Sequence, residues 1–156
     1  MRGFSFLVDK EFYAVDVTLV RKVVRNMTLT PLAGVPDAIA GITNINGGIV
    51  TIVSLAELLG REKGSQAVNA VIFKPFTDGN DQMGLLIDRP DGLIDINEDE
   101  ILPLPLTAEE EKKFCVSGMA NVAGSLYRII DIDSIVKRFM DGTENTADII
   151  PQERSI

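Results

Sequence analysis

The sequence predicts an all-β protein with short helices, built as two small β-barrels packed together. Short apolar and β-branched runs alternate with turn residues every eight to twelve positions or so, which favours barrels or sandwiches over a βαβ sheet. Helical patterns are few and brief. The third observation is a repeat: GITNINGGIVTIVSL, Gly41 to Leu55, returns as GMANVAGSLYRIIDI, Gly118 to Ile132, 77 residues later. In each copy a Gly opens a run ending in Asn (Asn44, Asn121). Two further residues lead to a Gly (Gly47, Gly124) suited to the positive φ of a tight turn, and an Ile/Val/Leu-rich run follows. Each copy then enters a short helical pattern, SLAELLG or DIDSIVKRFMDG. Gly60 and Gly142 stand where a helix C-terminus favours left-handed backbone. The chain therefore reads as two related halves, each closed by a hairpin and a helix.

Taken in order, FSFLVDKEFYAVDV reads as a hairpin whose charged turn holds Asp9, Lys10 and Glu11. TLVRKVVRNMTLTPL alternates β-branched residues with charged or small polar ones, as a strand with one face in water does. Helical spacing also fits Val17 to Val24, and a short turn before the strand reconciles the two. Pro31 and Pro36 bracket a loop, and Pro36 suits the first position of a brief helix PDAIAG. The polar residues Arg61 to Gln66 link the halves. AVNAVIF and MGLLID make a second opening hairpin around a turn at Gly79, and GLIDI adds a strand. The prolines of LPLPL exclude a central strand, and Thr107 suits the cap of a helix AEEEKKF. The tail after Gly142 has little apolar periodicity and is expected to fray.

The chain has 156 residues, enough to bury about two-thirds of its unfolded surface without disulfides or metal. Fifteen basic residues against twenty-three acidic ones give a formal charge of -8, which repels phosphate backbones and argues against a nucleic-acid partner. Acidic residues gather between Asp91 and Glu111. Up to Thr30 the balance reverses, with Arg2, Lys10, Arg21, Lys22 and Arg25 in the majority, an asymmetry that can orient a partner. Cys115 is the single cysteine, inside the apolar run FCVSGM, so it reads as a small buried hydrophobe in a reducing compartment. No signal-peptide pattern and no apolar run of about 20 residues is present, so a cytoplasmic protein without membrane insertion is expected.

Histidine is absent, which excludes Ser-His-Asp and Cys-His nucleophiles and His metal sites. Glu98, Asp99 and Glu100 are consecutive and point different ways, so a solvated turn is the simpler reading than a metal or carboxylate-pair site. Gly47 and Gly48 lack the Lys and Ser or Thr of a phosphate loop. The residues thus offer no catalytic constellation, no metal site and no cofactor site.

Five segments, FYAVDV, VRKVVR, GITNINGGIVTIVSLAELLG, GLLIDRPDGLIDI and CVSGMANVAGSLYRIIDIDSIV, resemble the CheW family of chemotaxis coupling proteins in order and spacing, from Phe4 to about Phe139. The resemblance implies two five-stranded SH3-like barrel lobes around a shared core, in a single CheW-like domain of residues 1–142. The first lobe would span about 13–66 and the second about 67–130, with terminal segments crossing between them and 143–156 as a flexible tail. It also implies a non-catalytic, cytoplasmic adaptor recruited to membrane-associated receptor arrays. There it would join the cytoplasmic tips of methyl-accepting chemoreceptors to the regulatory domain of the histidine kinase CheA.

Carried over by position, the kinase-facing surface falls on Phe4, Val17, Val20 and Val23. Strand alternation leaves Val20 and Val23, beside Arg21 and Lys22, as the expected exposed pair. The receptor-facing surface falls on Lys22, Gly41, Thr43, Asn46 and Pro90. Two departures stand out. The family's run reads like NLRG, then Pro and Asp before Leu, where this chain has Asn46, Thr51 and Ser54, and Lys22 occupies a position where many members carry Glu. A lost guanidinium and a reversed charge change partner choice without changing the fold. A divergent member that competes for array sites and lowers kinase coupling is therefore the alternative reading.

Overall fold

The computed structural model describes residues 1–61, 68–76, 82–104 and 115–139. Among these residues, ten strands make two five-stranded sheets. The first has the order β8-β1-β2-β10-β9 and the second β3-β6-β7-β5-β4. Their spans are β1 Arg2–Val8, β2 Glu11–Asp16, β3 Val20–Val24, β4 Ile39–Ile45, β5 Gly48–Ser54, β6 Asn69–Phe73, β7 Gln82–Ile87, β8 Arg89–Asp95, β9 Val116–Val122 and β10 Ser125–Ile130. Among the described residues, helices α1 Leu55–Leu59 and α2 Ile132–Phe139 follow β5 and β10.

The repeat explains this arrangement. Each half contributes an opening hairpin, a third strand, a second hairpin and a helix. The opening hairpins are exchanged, so β1–β2 joins the sheet of β8, β9 and β10, while β6–β7 joins the sheet of β3, β4 and β5. Each exchanged hairpin meets its host through one parallel pairing, β2 with β10 and β7 with β5. The sheets therefore do not follow lobe spans of about 13–66 and 67–130: residues 69–87 lie with the first span and β2 with the second.

Local chemistry is duplicated along with the topology. Asn44 Oδ1 accepts from Gly47 N at 2.9 Å, and Asn121 Oδ1 accepts from Gly124 N at 3.2 Å. Both turns take positive φ at two successive residues, Asn46 and Gly47 in one and Ala123 and Gly124 in the other, which matches the right-handed twist of the flanking strands. Asp9 and Lys10 close the β1–β2 hairpin in the same way. Ser54 caps α1 by accepting from Glu57 N at 3.2 Å, and Asp131, 77 positions on, accepts from Ser134 N at the start of α2. Gly60 ends α1 at φ 65° as its position predicts.

One expected element is absent. PDAIAG makes a single turn, with Ile39 N donating to Pro36 O at 2.9 Å, and is not helical. Ser54 N bonds Ala38 O and Ile39 already pairs with Val53, so pairing with β5 draws the segment into strand before a helix can propagate. The strand expected after Thr18 starts with a 3-10 turn, Val17–Leu19, before β3. The turn at Gly79, the helix capped by Thr107, the Gly142 terminus and the tail lie outside the described residues.

Apolar clusters form on both faces of each sheet. Phe6, Val8, Tyr13 and Val15 of one sheet and Val53, Val71, Phe73, Met83 and Leu85 of the other meet in a shared core. α2 adds Ile132, Ile135, Val136 and Phe139, the face that helical spacing brings together. The opposite faces enclose separate clusters. Ile45, Val50, Ile52, Ala70 and Ile72 fill one lobe, and Ala14, Ile96, Ala120 and Ile129 fill the other. Each lobe is drawn towards closure by a two-bond bridge, Thr30 with Ile42 and Leu102 with Met119. Asn69, buried, ties the crossing between sheets: its Nδ2 donates to Asp88 O at 2.8 Å and its Oδ1 accepts from Asn26 N at 3.1 Å.

Candidate functional site

The edges of the two sheets are the candidate protein-binding surface, because an edge strand offers unpaired backbone groups. β3 and β8 are the equivalent edges, and both carry a bulge. Val20 pairs with Phe73 and Lys22 with Ile72, leaving Arg21 unmatched. Phe6 pairs with Pro90 and Ser5 with Gly92, leaving Asp91 unmatched.

An extra residue reverses the alternation of faces. Val20 and Val23 consequently share the face of Phe73 and Val71, towards the shared core, whereas Lys22 and Val24 share the face of Ile72 and Ala70. Pro90 and Leu93 hold the same places on the other edge, beside Phe6 and Phe4.

Of the four residues expected to face the kinase, none is exposed. Val20 packs against the shared core, which corrects the expectation that it stands free, and Val23 beside it is half-buried. Phe4 is half-buried too, its ring stacked on Phe6 at 6.3 Å. β1 touches the 3-10 turn that carries Val17, and Phe4 and Val20 both pack against the shared core. The basic character of this edge comes from Arg21, which donates to Gln82, and from exposed Arg25. The β8 edge is acidic, with Asp91 and Asp95 both exposed.

Among the residues expected to face a receptor, Gly41 and Thr43 are corrected. Both are buried and face the lobe interior beneath the segment that follows β3. Thr43 Oγ1 donates to Thr28 O at 2.7 Å, and a Cβ on Gly41 would lie 2.3 Å from Thr30 O. Their role is to seat the covering segment. Asn46 is exposed at the tip of the β4–β5 turn, Lys22 is half-buried on β3, and Pro90 is half-buried on β8 in the other sheet, where an edge tolerates its missing N–H.

Sequence reasoning missed Leu93, 55% exposed on the β8 edge, as well as Ile49 and Leu126. The last two are 55% and 43% exposed and occupy the same place in the two copies of the repeat, a signal that was available in the sequence. Among the described residues, no group of three or more Cys, Asp or Glu side chains is placed to hold a metal ion. No helix among them is long and apolar enough to cross a membrane.

Comparison with known proteins accounts for nearly the whole chain. A family model described as a CheW-like domain matches residues 2–140. The chemotaxis protein CheW of Thermotoga maritima is 28% identical over 133 residues, covering 85% of each chain. That of Rhizobium meliloti is 23% identical over 131 residues, covering 84% of each. The crystal structure of the scaffolding protein TtCheW from Thermoanaerobacter tengcongensis superposes with a TM-score of 0.72 at 25% identity, covering 83% of this chain and 88% of that one.

Proposed function

The chain belongs to the CheW-like domain family, whose members are non-catalytic adaptors, and from that premise we propose that it couples methyl-accepting chemoreceptors to the histidine kinase CheA. The observation that carries this reading is the match over residues 2–140, which includes both lobes and both bulged edges. The kinase regulatory domain docks against the β3 edge around Val23, Val17 and the flank of Phe4. The receptor tip is read by the side chains that remain available on the other predicted surface, Asn46, Lys22 and Pro90. The protein acts in the cytoplasm, held at receptor arrays by these contacts.

Reconstitution of kinase, receptor and this protein tests the proposal. Kinase activity should rise with added protein only when receptor is present; a fall, or no change, would instead identify a modulator that competes for array sites. Val23→Asp should weaken kinase binding about tenfold or more, because a charge replaces an apolar contact at a desolvated edge. An unchanged affinity for this variant would remove β3 from the kinase interface.

A further inference from the structure

Away from the edges, three charged residues from distant parts of the chain converge beside Tyr13. Arg61 follows Gly60 in the cap of α1, its N–H donating to Ala56 O at 2.8 Å, so the cap fixes where its side chain starts. Glu11 opens β2 and Arg128 lies in β10. One oxygen of Glu11 pairs with Arg61 and the other with Arg128, the latter at 2.6 Å, and all three side chains are about three-quarters buried. The Arg128 guanidinium lies 5.9 Å from the centre of the fully buried Tyr13 ring.

This set is unbalanced. Among the described residues two guanidiniums share one carboxylate, which leaves a surplus positive charge. The Tyr13 hydroxyl lies beside Arg61 without a well-formed hydrogen bond, and the buried Arg61 Nε and Glu11 Oε2 also lack one among the described residues, so the contact of Glu11 with Arg128 is an ion pair without hydrogen-bond geometry. Burial is the main cause that raises the phenol pKa, so the group remains a protonated donor.

The strand pairing itself does not require Arg128. β10 and β2 place Arg128 opposite Tyr13, and the equivalent parallel pairing of β5 and β7 places Thr51 opposite Met83. Thr51 and Arg128 are 77 positions apart, the period of the repeat, and Thr51 with Met83 makes the same pairing with no charge at either position. Two residues before Arg128, on the same face of β10, Leu126 is 43% exposed. A charge-assisted site with an aliphatic shelf beside it matches an acidic side chain that has an aliphatic neighbour.

We propose that Arg61, Arg128 and the Tyr13 hydroxyl form a docking site for a carboxylate side chain of a partner protein, with Leu126 receiving the adjacent aliphatic residue. Glu11 is the resident carboxylate, and the incoming one takes its place between the arginines.

The test is NMR of the arginine Nε–H groups in the intact protein, titrated with N-acetyl-Glu-Leu-amide, with N-acetyl-Gln-Leu-amide and with sodium acetate. The Glu peptide should shift the Arg61 and Arg128 signals saturably, and the Gln peptide should not. Glu11→Gln should tighten the Glu peptide about tenfold by removing the competing charge, whereas Tyr13→Phe should weaken it about tenfold. A purely structural ion cluster would show no gain with Glu11→Gln. If that variant fails to fold, Arg128→Thr decides, since the other lobe folds with Thr at this place, and it should abolish the shift. No saturable shift, equal shifts with both peptides, or unchanged binding in Arg128→Thr overturns the proposal. Acetate binding as tightly as the peptide also overturns it, because Leu126 and a protein segment would then have no part.

Discussion

Gly41→Ala isolates the contact that closes the first lobe. The backbone at Gly41 has φ 149°, a region that L residues rarely adopt, and a Cβ there would meet Thr30 O at 2.3 Å, Thr30 C at 2.8 Å and Pro31 Cα at 3.1 Å. All three atoms are backbone, so no side chain can rotate aside. The obstruction falls on the Thr30–Ile42 bridge, whose two hydrogen bonds measure 2.8 and 2.9 Å. Losing both costs about 1 kcal/mol each, and backbone strain adds about 1 to 3 kcal/mol, for a total of about 3 to 5 kcal/mol. In a domain of this size that lowers the melting temperature by roughly 6 to 20 °C. Gly47→Ala is the control: its φ is 85° but a Cβ there meets nothing within 4 Å, so only strain of about 1 to 2 kcal/mol applies. Urea denaturation of both variants, with hydrogen exchange at Ile42 N–H, measures the difference. Equal stability losses, or unchanged protection of Ile42 in Gly41→Ala, would refute closure by this bridge.

Three further outcomes are expected. Ala123 sits at φ 52° in the turn where the first copy has Asn46, so Ala123→Asn should stabilise by about 0.5 to 1 kcal/mol, read from the denaturation midpoint. Burial raises the Cys115 thiol from 9.0 to about 11, so the unfolded chain loses its proton first as pH rises. Stability should therefore be insensitive to this thiol below pH 9 and fall between pH 9 and about 11, and the fall should be smaller in Cys115→Ala when the two pH profiles are compared. Asn46→Arg, alone or with Lys22→Glu, should improve binding to partners of family members that carry those residues and weaken binding to this protein's own. Because Asn46 has φ 51°, the Arg variant should also cost up to about 1 kcal/mol of stability, and equal affinities for both partner sets would assign no specificity to either site.

What the sequence determined by itself was local. The Asn-to-Gly hairpins, the Asp9–Lys10 turn, the Gly60 terminus and the repeat each depend on residues a few positions apart, and residue type alone specifies their backbone. The lack of histidine, legible from composition, agrees with a family of non-catalytic adaptors. Which residues stand exposed was not legible, for two reasons. Alternation identifies an exposed face only when one face of a sheet meets water, and here one face lines the shared core while the other lines a lobe. β6 is buried at all five positions and gives no periodic signal. In addition, the bulges at Arg21 and Asp91 invert the pattern partway along the edge strands, which is why Val20 and Val23 lie on one face and Lys22 on the other. Gly41 and Thr43 turned inward because a segment from beyond β3 covers them, and Glu11, Arg61 and Arg128 met because the halves exchange their first hairpins. These are long-range pairings, settled by how two sheets share one core, and no window of neighbouring residues contains them.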